Sequence, residues 1–332
     1  MVEKLRALVL APFDAAQLDA LRGFAEVEYE SWLDTRKLYD PDELAQRLND
    51  GRFSVVVIES DFVFEETFAR ASGLKLVGIC RATTSHVDIE AATHHGVLVI
   101  NTPGRNAQAV AEHVLGAVLC LARRTPDAHR YVKEGRWADP VEPYVAFRGI
   151  ELANRTLGIV GLGAIGRRLA RIAACLDMRV LAHDPYVATV PDGVRVAGLD
   201  TLLAEADFVA TLPPLNAETT GMLNASRLAL MKPSAFLITA SGVAIADQDA
   251  LVQALAAKRI AGAAIDVFDT HPVASDSPFL ALDNILLTPH IGGATVESIE
   301  RHSRMMVDEI RRYVSDQRPV NLVNPAAWGH RG

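Results

Sequence analysis

Apolar and polar positions follow two regimes along this chain. Short continuous apolar runs, the pattern of strands buried on both faces, recur at Ala7 to Leu10, Val55 to Ile58, Lys75 to Ile79 and Val97 to Ile100. Stretches of helical period lie between them. The pattern resumes at Leu157 to Val160, Arg179 to Ala182, Phe208 to Thr211, Ala235 to Ile238, Gly262 to Val267 and Asn284 to Thr288. Strands alternating with helices predict parallel sheets, here in two blocks, so the expected class is α/β with two parallel-sheet domains. Asn101-Thr-Pro-Gly104 is a loop signal between the blocks. From Asn106 to Arg123, Val110, Leu115, Val118 and Leu121 predict a long helix running from one domain into the other. A second helix, from Val296 to about Val314, carries the chain back. The first domain is therefore expected to be discontinuous, residues 1–104 plus 294–332, around a second of residues 105–293. No short-period repeat or low-complexity tract interrupts this order.

One segment carries chemistry. Leu157-Gly-Ile-Val-Gly161-Leu-Gly163-Ala164-Ile165-Gly166 joins a strand pattern to a helical one, Arg167 to Leu176, with Leu169, Ile172, Ala173 and Leu176 on its apolar positions. Gly161 allows a tight turn, Gly163 lets the backbone approach a pyrophosphate, and Gly166 lets helix and strand pack closely. The helix N-terminus then offers unpaired N–H groups and the positive end of its dipole to the anion. Asp184 ends the next strand, 18 residues beyond Gly166. That is close to the roughly 20 residues expected for the acid that binds a ribose 2′-hydroxyl, and a carboxylate there repels a 2′-phosphate. The segment predicts a Rossmann dinucleotide-binding domain that prefers NAD to NADP. The bland alternative is a glycine turn that only packs a βα unit.

Composition narrows the setting. The chain has 332 residues, enough for about two domains, and half of them are hydrophobic. Its net charge of −8 offers no basic patch, so nucleic acid is not an expected partner. The paired Arg123-Arg124 and Arg311-Arg312 read as solvated helix faces. No apolar run approaches the roughly 18 residues needed to cross a bilayer, and Met1-Val-Glu-Lys leads into a strand rather than a signal sequence. Cys80, Cys120 and Cys175 are odd in number and widely spaced, which fits a reducing cytoplasm.

Several segments in order resemble the D-isomer-specific 2-hydroxyacid dehydrogenases: Asn101-Thr-Pro-Gly-Arg-Asn-Ala-Gln-Ala-Val-Ala-Glu-His113, the glycine segment, Gly262-Ala-Ala-Ile-Asp-Val-Phe268, Thr288-Pro-His-Ile-Gly-Gly293 and Val323-Asn-Pro325. The resemblance covers nearly the whole chain. It implies a flavodoxin-like substrate domain beside the Rossmann domain, a cleft with hinge closure, and a homodimer formed through the long helix of the cofactor domain. It also implies hydride transfer between nicotinamide and C2 of a hydroxy or oxo acid. Such chemistry needs a proton acceptor, a partner holding that acceptor, and a cation for the carboxylate. His290, in Thr-Pro-His-Ile-Gly-Gly, takes the first role, since an imidazole exchanges protons near neutral pH.

The other two positions depart from the family. The stretch Leu237-Ile-Thr-Ala-Ser-Gly-Val-Ala-Ile-Ala-Asp-Gln-Asp-Ala-Leu251 aligns without a gap to one carrying an Asn-x-x-Arg-Gly pattern, and the arginine falls on Gly242. In Asp266-Val-Phe-Asp-Thr-His271-Pro272, His271 stands where the family has the glutamate partner of the catalytic histidine. Losing a bidentate guanidinium clamp costs about 3 kcal/mol or more, roughly a hundredfold in rate, so either another cation substitutes or the substrate differs. Arg81 is the candidate, at the head of the loop Arg81-Ala82-Thr83 that aligns with the family's substrate-binding loop. An arginine there implies an anionic or polyhydroxylated substrate. The alternative is a surface salt bridge. His271 brings no negative charge to His290, so the general-base limb of the pH–rate profile is expected at lower pH than in glutamate-bearing relatives. His271 pointing into solvent beside Pro272 is the other reading.

The resemblance carries further cofactor contacts to Asp184-Pro185, to Pro214, Leu215 and Thr219 beside the adenosine half, and to Ala240 and Ser241 near the nicotinamide. Leu212 stands where a histidine is common. Asp266 is expected to bond the carboxamide and Gly292 to give the ring room. For Asp266 and Ser241 the plain readings are a strand-end cap and a turn hydroxyl. No metal site is expected: His94-His95 point apart on a helix and His113 lacks a ligand at useful spacing. Met305-Met306 and Trp328 through Gly332 read as packing and tail. The leading expectation is an NAD-dependent dehydrogenase of a hydroxy acid, sugar-derived acids included. Two others stand beside it: a dehydrogenase of a polyol or phosphorylated alcohol, and a silent NAD-sensing or interaction protein in which Gly242 and His271 are relics.

Overall fold

The computed structural model describes residues 5–330; Met1-Val-Glu-Lys and the tail's last residues, Arg331 and Gly332, lie outside the described residues. The chain divides into two compact units, one ending at Asn106 and resuming at Thr295, the other Ala107–Ala294.

The first unit holds a five-stranded sheet of β1 (Leu5–Val9), β2 (Ala25–Tyr29), β3 (Val55–Ile58), β4 (Leu76–Ile79) and β5 (Leu98–Asn101), in the order β2-β1-β3-β4-β5. Every pairing is parallel. A continuous apolar run hides a period of two. Val56, Ile58, Val77 and Val99 enter one core with Leu44, Leu48 and Phe53, while Val55, Val57, Leu76 and Leu98 enter another with Met306, Val307 and Ile310. Those last three sit on the helix Val296–Val314, whose packing the tail assists: Ala327 is buried and Trp328 lies against the same cluster.

The second unit carries β6 (Thr156–Val160), β7 (Arg179–His183), β8 (Val194–Val196), β9 (Phe208–Thr211), β10 (Phe236–Thr239), β11 (Gly262–Ile265) and β12 (Ile285–Leu287). Their order is β12-β11-β10-β9-β6-β7-β8, again all parallel. Strand order reverses at β6, and in open parallel sheets such a switch point opens the crevice in which ligands bind beyond the strands' carboxyl ends.

Two strands escape the sequence pattern. β2 reads Ala-Glu-Val-Glu-Tyr, and β8 is a half-exposed three-residue strand. Both are sheet edges, where one side meets solvent and polar residues guard the free edge, so neither shows a continuous apolar run. Arg47 pairs with Glu28 and Glu30 there, and Arg6 with Glu26 and Glu28. The helix expected from Arg167 begins earlier, at Ala164, directly on the glycine turn. On the helix Ala107–Arg123 the buried positions include Val110, Val114, Ala117 and Val118; Leu115 and Leu121 are only partly covered and Leu119 is exposed.

A polar knot ties the first unit together. His302 is fully buried; its Nδ1 accepts from Arg105 Nη1 at 3.0 Å and its Nε2–H donates to the Pro12 carbonyl at 2.7 Å. Arg105 Nη2 reaches Glu59 Oε1 at 2.6 Å. Burial pushes His302 down to about 4, below the ordinary 6.5, with Arg105 acting in the same direction. The imidazole is therefore neutral when folded and takes a proton more readily when unfolded. Its contribution is constant above pH 6.5, and stability falls between pH 6.5 and about 4, because only the unfolded chain gains the proton there. From pH 7 to 5 the loss is about 2 kcal/mol. Urea unfolding of His302→Gln is expected to show a pH dependence flatter by that amount; parallel curves would mean that His302 titrates normally.

Candidate active site

The glycine turn after β6 shows why its residues are small. Gly161 has φ +92°, and a Cβ there would lie 2.8 Å from Pro213 N. A Cβ on Gly166 would lie 2.3 Å from the Gly161 carbonyl oxygen, so helix and turn meet only because it has none. Around Gly163, by contrast, there is open space. Gly163 caps the helix Ala164–Ala174 without any side-chain hydrogen bond, which leaves first-turn N–H groups to an external anion. Asp184 is fixed by its own backbone neighbours: Oδ2 accepts from Leu162 N at 2.8 Å and Oδ1 from Tyr186 N at 2.9 Å. A cradle with an open glycine, an uncapped helix start and an anchored carboxylate fits a dinucleotide. Pro185 follows Asp184 at the end of β7. Pro214 and Thr219 belong to a turn knitted by Asn216, where Thr219 Oγ1 donates to the Pro214 carbonyl at 2.7 Å.

At the carboxyl ends of β10 and β11, Asp266 is the hub. It is 4% exposed. Oδ1 accepts from Thr288 Oγ1 at 2.6 Å and Ile291 N at 2.9 Å, and Oδ2 from Gly292 N at 2.8 Å. The same residue's carbonyl accepts from His290 N at 2.8 Å. Its first task is thus to fold the 288–292 loop, a role the sequence does not display. Gly292 is small for the same reason, since a Cβ would come within 2.8 Å of Asp266 Oδ2 and 3.3 Å of His113 Cδ2. His113 Nε2 lies 3.6 Å from Asp266 Oδ1 and 3.4 Å from Thr288 Oγ1.

His290 sits on that loop in a left-handed conformation, φ +55°. Its Nδ1 lies 3.1 Å from His271 Nε2, with the rings 4.9 Å apart. His271 therefore turns toward His290 rather than away into solvent. In the tautomer with a proton on Nδ1, His290 donates to His271 Nε2. Ala240 follows β10, and Ser241 Oγ donates to the Thr211 carbonyl at 3.1 Å.

Gly242 has φ +136°, and a Cβ there would fall 2.5 Å from Leu215 Cδ1. The position where the resemblance implies an arginine thus has a backbone that side chains rarely adopt. Gly242→Arg is expected to lower stability by about 1–3 kcal/mol through strain rather than to restore a clamp. An unchanged melting temperature would show that the backbone relaxes.

In the first unit, the carboxyl ends of β3 and β4 carry Glu59-Ser60-Asp61 and Cys80-Arg81. Arg81 Nη2 donates to Ser60 Oγ at 3.0 Å, whereas its buried Nε has no hydrogen-bond partner. No carboxylate lies within ion-pairing distance of Arg81 among the described residues; Glu59 is taken by Arg105. Among the described residues no surface salt bridge holds Arg81. Burial lowers its pKa, with Arg105 acting in the same direction and Glu59 against it. Ala82 and Thr83 are exposed beside it, and the Ala82 carbonyl accepts from Asn101 Nδ2 at 2.9 Å. Ser60 escaped sequence reading, although its place just past a strand's carboxyl end was a usable signal. Burial and Glu59 push the Cys80 thiol up, which makes it a packing residue. Among the described residues no group of three or more His, Cys, Asp or Glu side chains could hold a metal ion. Among them, too, no helix is long and apolar enough to cross a membrane.

A sequence model described as the D-isomer specific 2-hydroxyacid dehydrogenase, NAD binding domain, matches residues 115–292. The glyoxylate reductase of Korarchaeum cryptofilum is 34% identical over 309 residues, 91% of this chain and 92% of that protein. The D-3-phosphoglycerate dehydrogenase of Archaeoglobus fulgidus is 33% identical over 325 residues, 96% of this chain but 59% of that longer protein. The crystal structure of the TT0316 protein from Thermus thermophilus has a TM-score of 0.84 and 34% identity, covering 96% of this chain and 100% of its own. The chain belongs to the D-isomer-specific 2-hydroxyacid dehydrogenase family. It is an NAD-dependent oxidoreductase acting on the CH–OH group of a hydroxy acid or the matching oxo acid.

Proposed function

We propose that His290 is the acid/base of this dehydrogenase, that His271 orients it, and that Arg81 binds the anionic end of a small, hydroxylated or sugar-derived acid. Bound NAD(H) supplies or accepts the hydride. In the oxidative direction His290 Nε2 takes the alcohol proton while His271 accepts the Nδ1 hydrogen bond; in the reductive direction the proton returns to the new alkoxide. The observation that carries the substrate assignment is Arg81, a partly buried guanidinium with a spare N–H and no carboxylate partner among the described residues. An anion would offset the cost of burying that charge. The relatives named glyoxylate reductase and D-3-phosphoglycerate dehydrogenase support small 2-oxo and 2-hydroxy acids as the class. Asp184 supports NAD over NADP by repelling a 2′-phosphate.

NADH oxidation over a panel of 2-oxo acids, keto-sugars and their phosphates tests this assignment. Turnover should fall by about 10²–10⁴-fold in His290→Asn, and Arg81→Ala should raise KM by about tenfold or more for anionic substrates. An unchanged KM would remove Arg81 from the site. In His271→Glu the general-base limb should move to higher pH, because a carboxylate stabilises the imidazolium. A stationary limb would count against His271 as partner.

The same reading extends to assembly and setting. The exposed side of the helix Ala107–Arg123 bears Leu119, and the segments after it expose Val132, Trp137, Val141, Tyr144 and Val145. So much exposed apolar surface supports a homodimer. Light scattering should give twice the chain mass, and a monomer at micromolar concentration would refute it. Three free cysteines fit the cytoplasm, which fractionation of the producing cell would check.

A further inference from the structure

The loop after β7 and the loop after β9 flank β6 on its two sides. One side-chain bond joins them: Tyr186 Oη donates to Glu218 Oε2 at 2.5 Å. Both ends are rooted. Tyr186 N donates to the Asp184 carboxylate at 2.9 Å. Glu218 N donates to Asn216 Oδ1 at 2.8 Å, inside the turn that Thr219 and Thr220 close with bonds of 2.7 and 2.8 Å to the carbonyls of Pro214 and Asn216. Tyr186 is 77% exposed, so its bond lies at the surface and contributes nothing to the core. The hydrogen bond to Glu218 and the charge of that carboxylate hold the phenol above its ordinary range, so it stays a donor at working pH.

A dinucleotide whose pyrophosphate rests on the start of the helix Ala164–Ala174, and whose ribose meets Asp184, has its adenosine between these two loops. We propose that the Tyr186–Glu218 bond is a strap across the adenosine end of the groove, and that it gates the exchange of NAD(H). The assignment rests on the cofactor groove described above. In this proposal the contact is the same with and without the ligand, so it adds little to affinity. It has to break each time the adenosine passes, so it acts on rates in both directions.

Stopped-flow fluorescence of NADH association and displacement tests the strap. In Tyr186→Phe both kon and koff should rise by about three- to tenfold, as expected for losing one exposed hydrogen bond to a charged group, with Kd constant within about twofold. Glu218→Ala should behave alike, and Glu218→Gln, which keeps an acceptor oxygen, should be milder. A rise in koff matched by an equal rise in Kd would make Tyr186 an ordinary ligand contact and overturn the proposal. Unchanged rates in both Tyr186→Phe and Glu218→Ala would overturn it as well. Asp184→Ala separates the two levels: it should weaken NADH at equilibrium, and an unaltered Kd there would mean that the groove reading itself has failed.

Discussion

His290→Asn is expected to lower kcat by about 10²–10⁴-fold while leaving the Kd for NADH within about twofold, the range by which a positioned general acid/base contributes. Asparagine is the informative replacement because His290 holds φ +55°, a conformation that asparagine tolerates and most side chains do not. The loop should therefore keep its bonds to Asp266, and the loss should report proton transfer alone. The backbone supports this separation: His290 N donates to the Asp266 carbonyl, and the side chain meets His271. Turnover within tenfold of the parent across the 2-oxo acid panel would show that another group moves the proton.

Asp266→Ala should have the largest effect on stability. The carboxylate accepts from Thr288 Oγ1, Ile291 N and Gly292 N, and the last of these is buried. Removing it leaves three donors without their acceptor. At about 1–3 kcal/mol per orphaned group, and allowing for non-additivity and entering water, the total is about 3 kcal/mol or more. The loop that carries His290 would lose its shape at the same time, so kcat should fall with stability. Asp266→Asn keeps one acceptor oxygen and should lie between. Binding of ADP-ribose, which uses the far end of the groove, should be spared in both. Urea unfolding and NADH oxidation measured on the same preparations decide this; a loss below about 1 kcal/mol in Asp266→Ala would show that water replaces the carboxylate easily.

The two halves of the site differ in how far the chain itself discloses them. The glycine turn and Asp184 form a local device, with spacing dictated by one strand, one turn and one helix, so the residues that shape it lie within a short stretch and can be read there. The return helix Val296–Val314 and most strands were legible because burial on a parallel sheet imposes apolar runs and helical periods. The edges β2 and β8 were not, since solvent takes one side and relaxes the pattern.

Tertiary structure alone decided the rest. Nothing in the order of residues says that Asp266 spends its carboxylate on the 288–292 loop, that His113 leans on Gly292, or that His271 turns toward His290 instead of solvent. Nor does it say that Arg81 is held by Ser60 without a carboxylate partner among the described residues, since Glu59 is claimed by Arg105. By itself the sequence determined two parallel α/β blocks and a dinucleotide cradle. The fold decided which polar groups satisfy one another and which are left for a ligand. A hydrogen bond depends on directions and distances of a few ångströms between segments far apart in the chain, whereas hydrophobic periodicity is set by each segment alone.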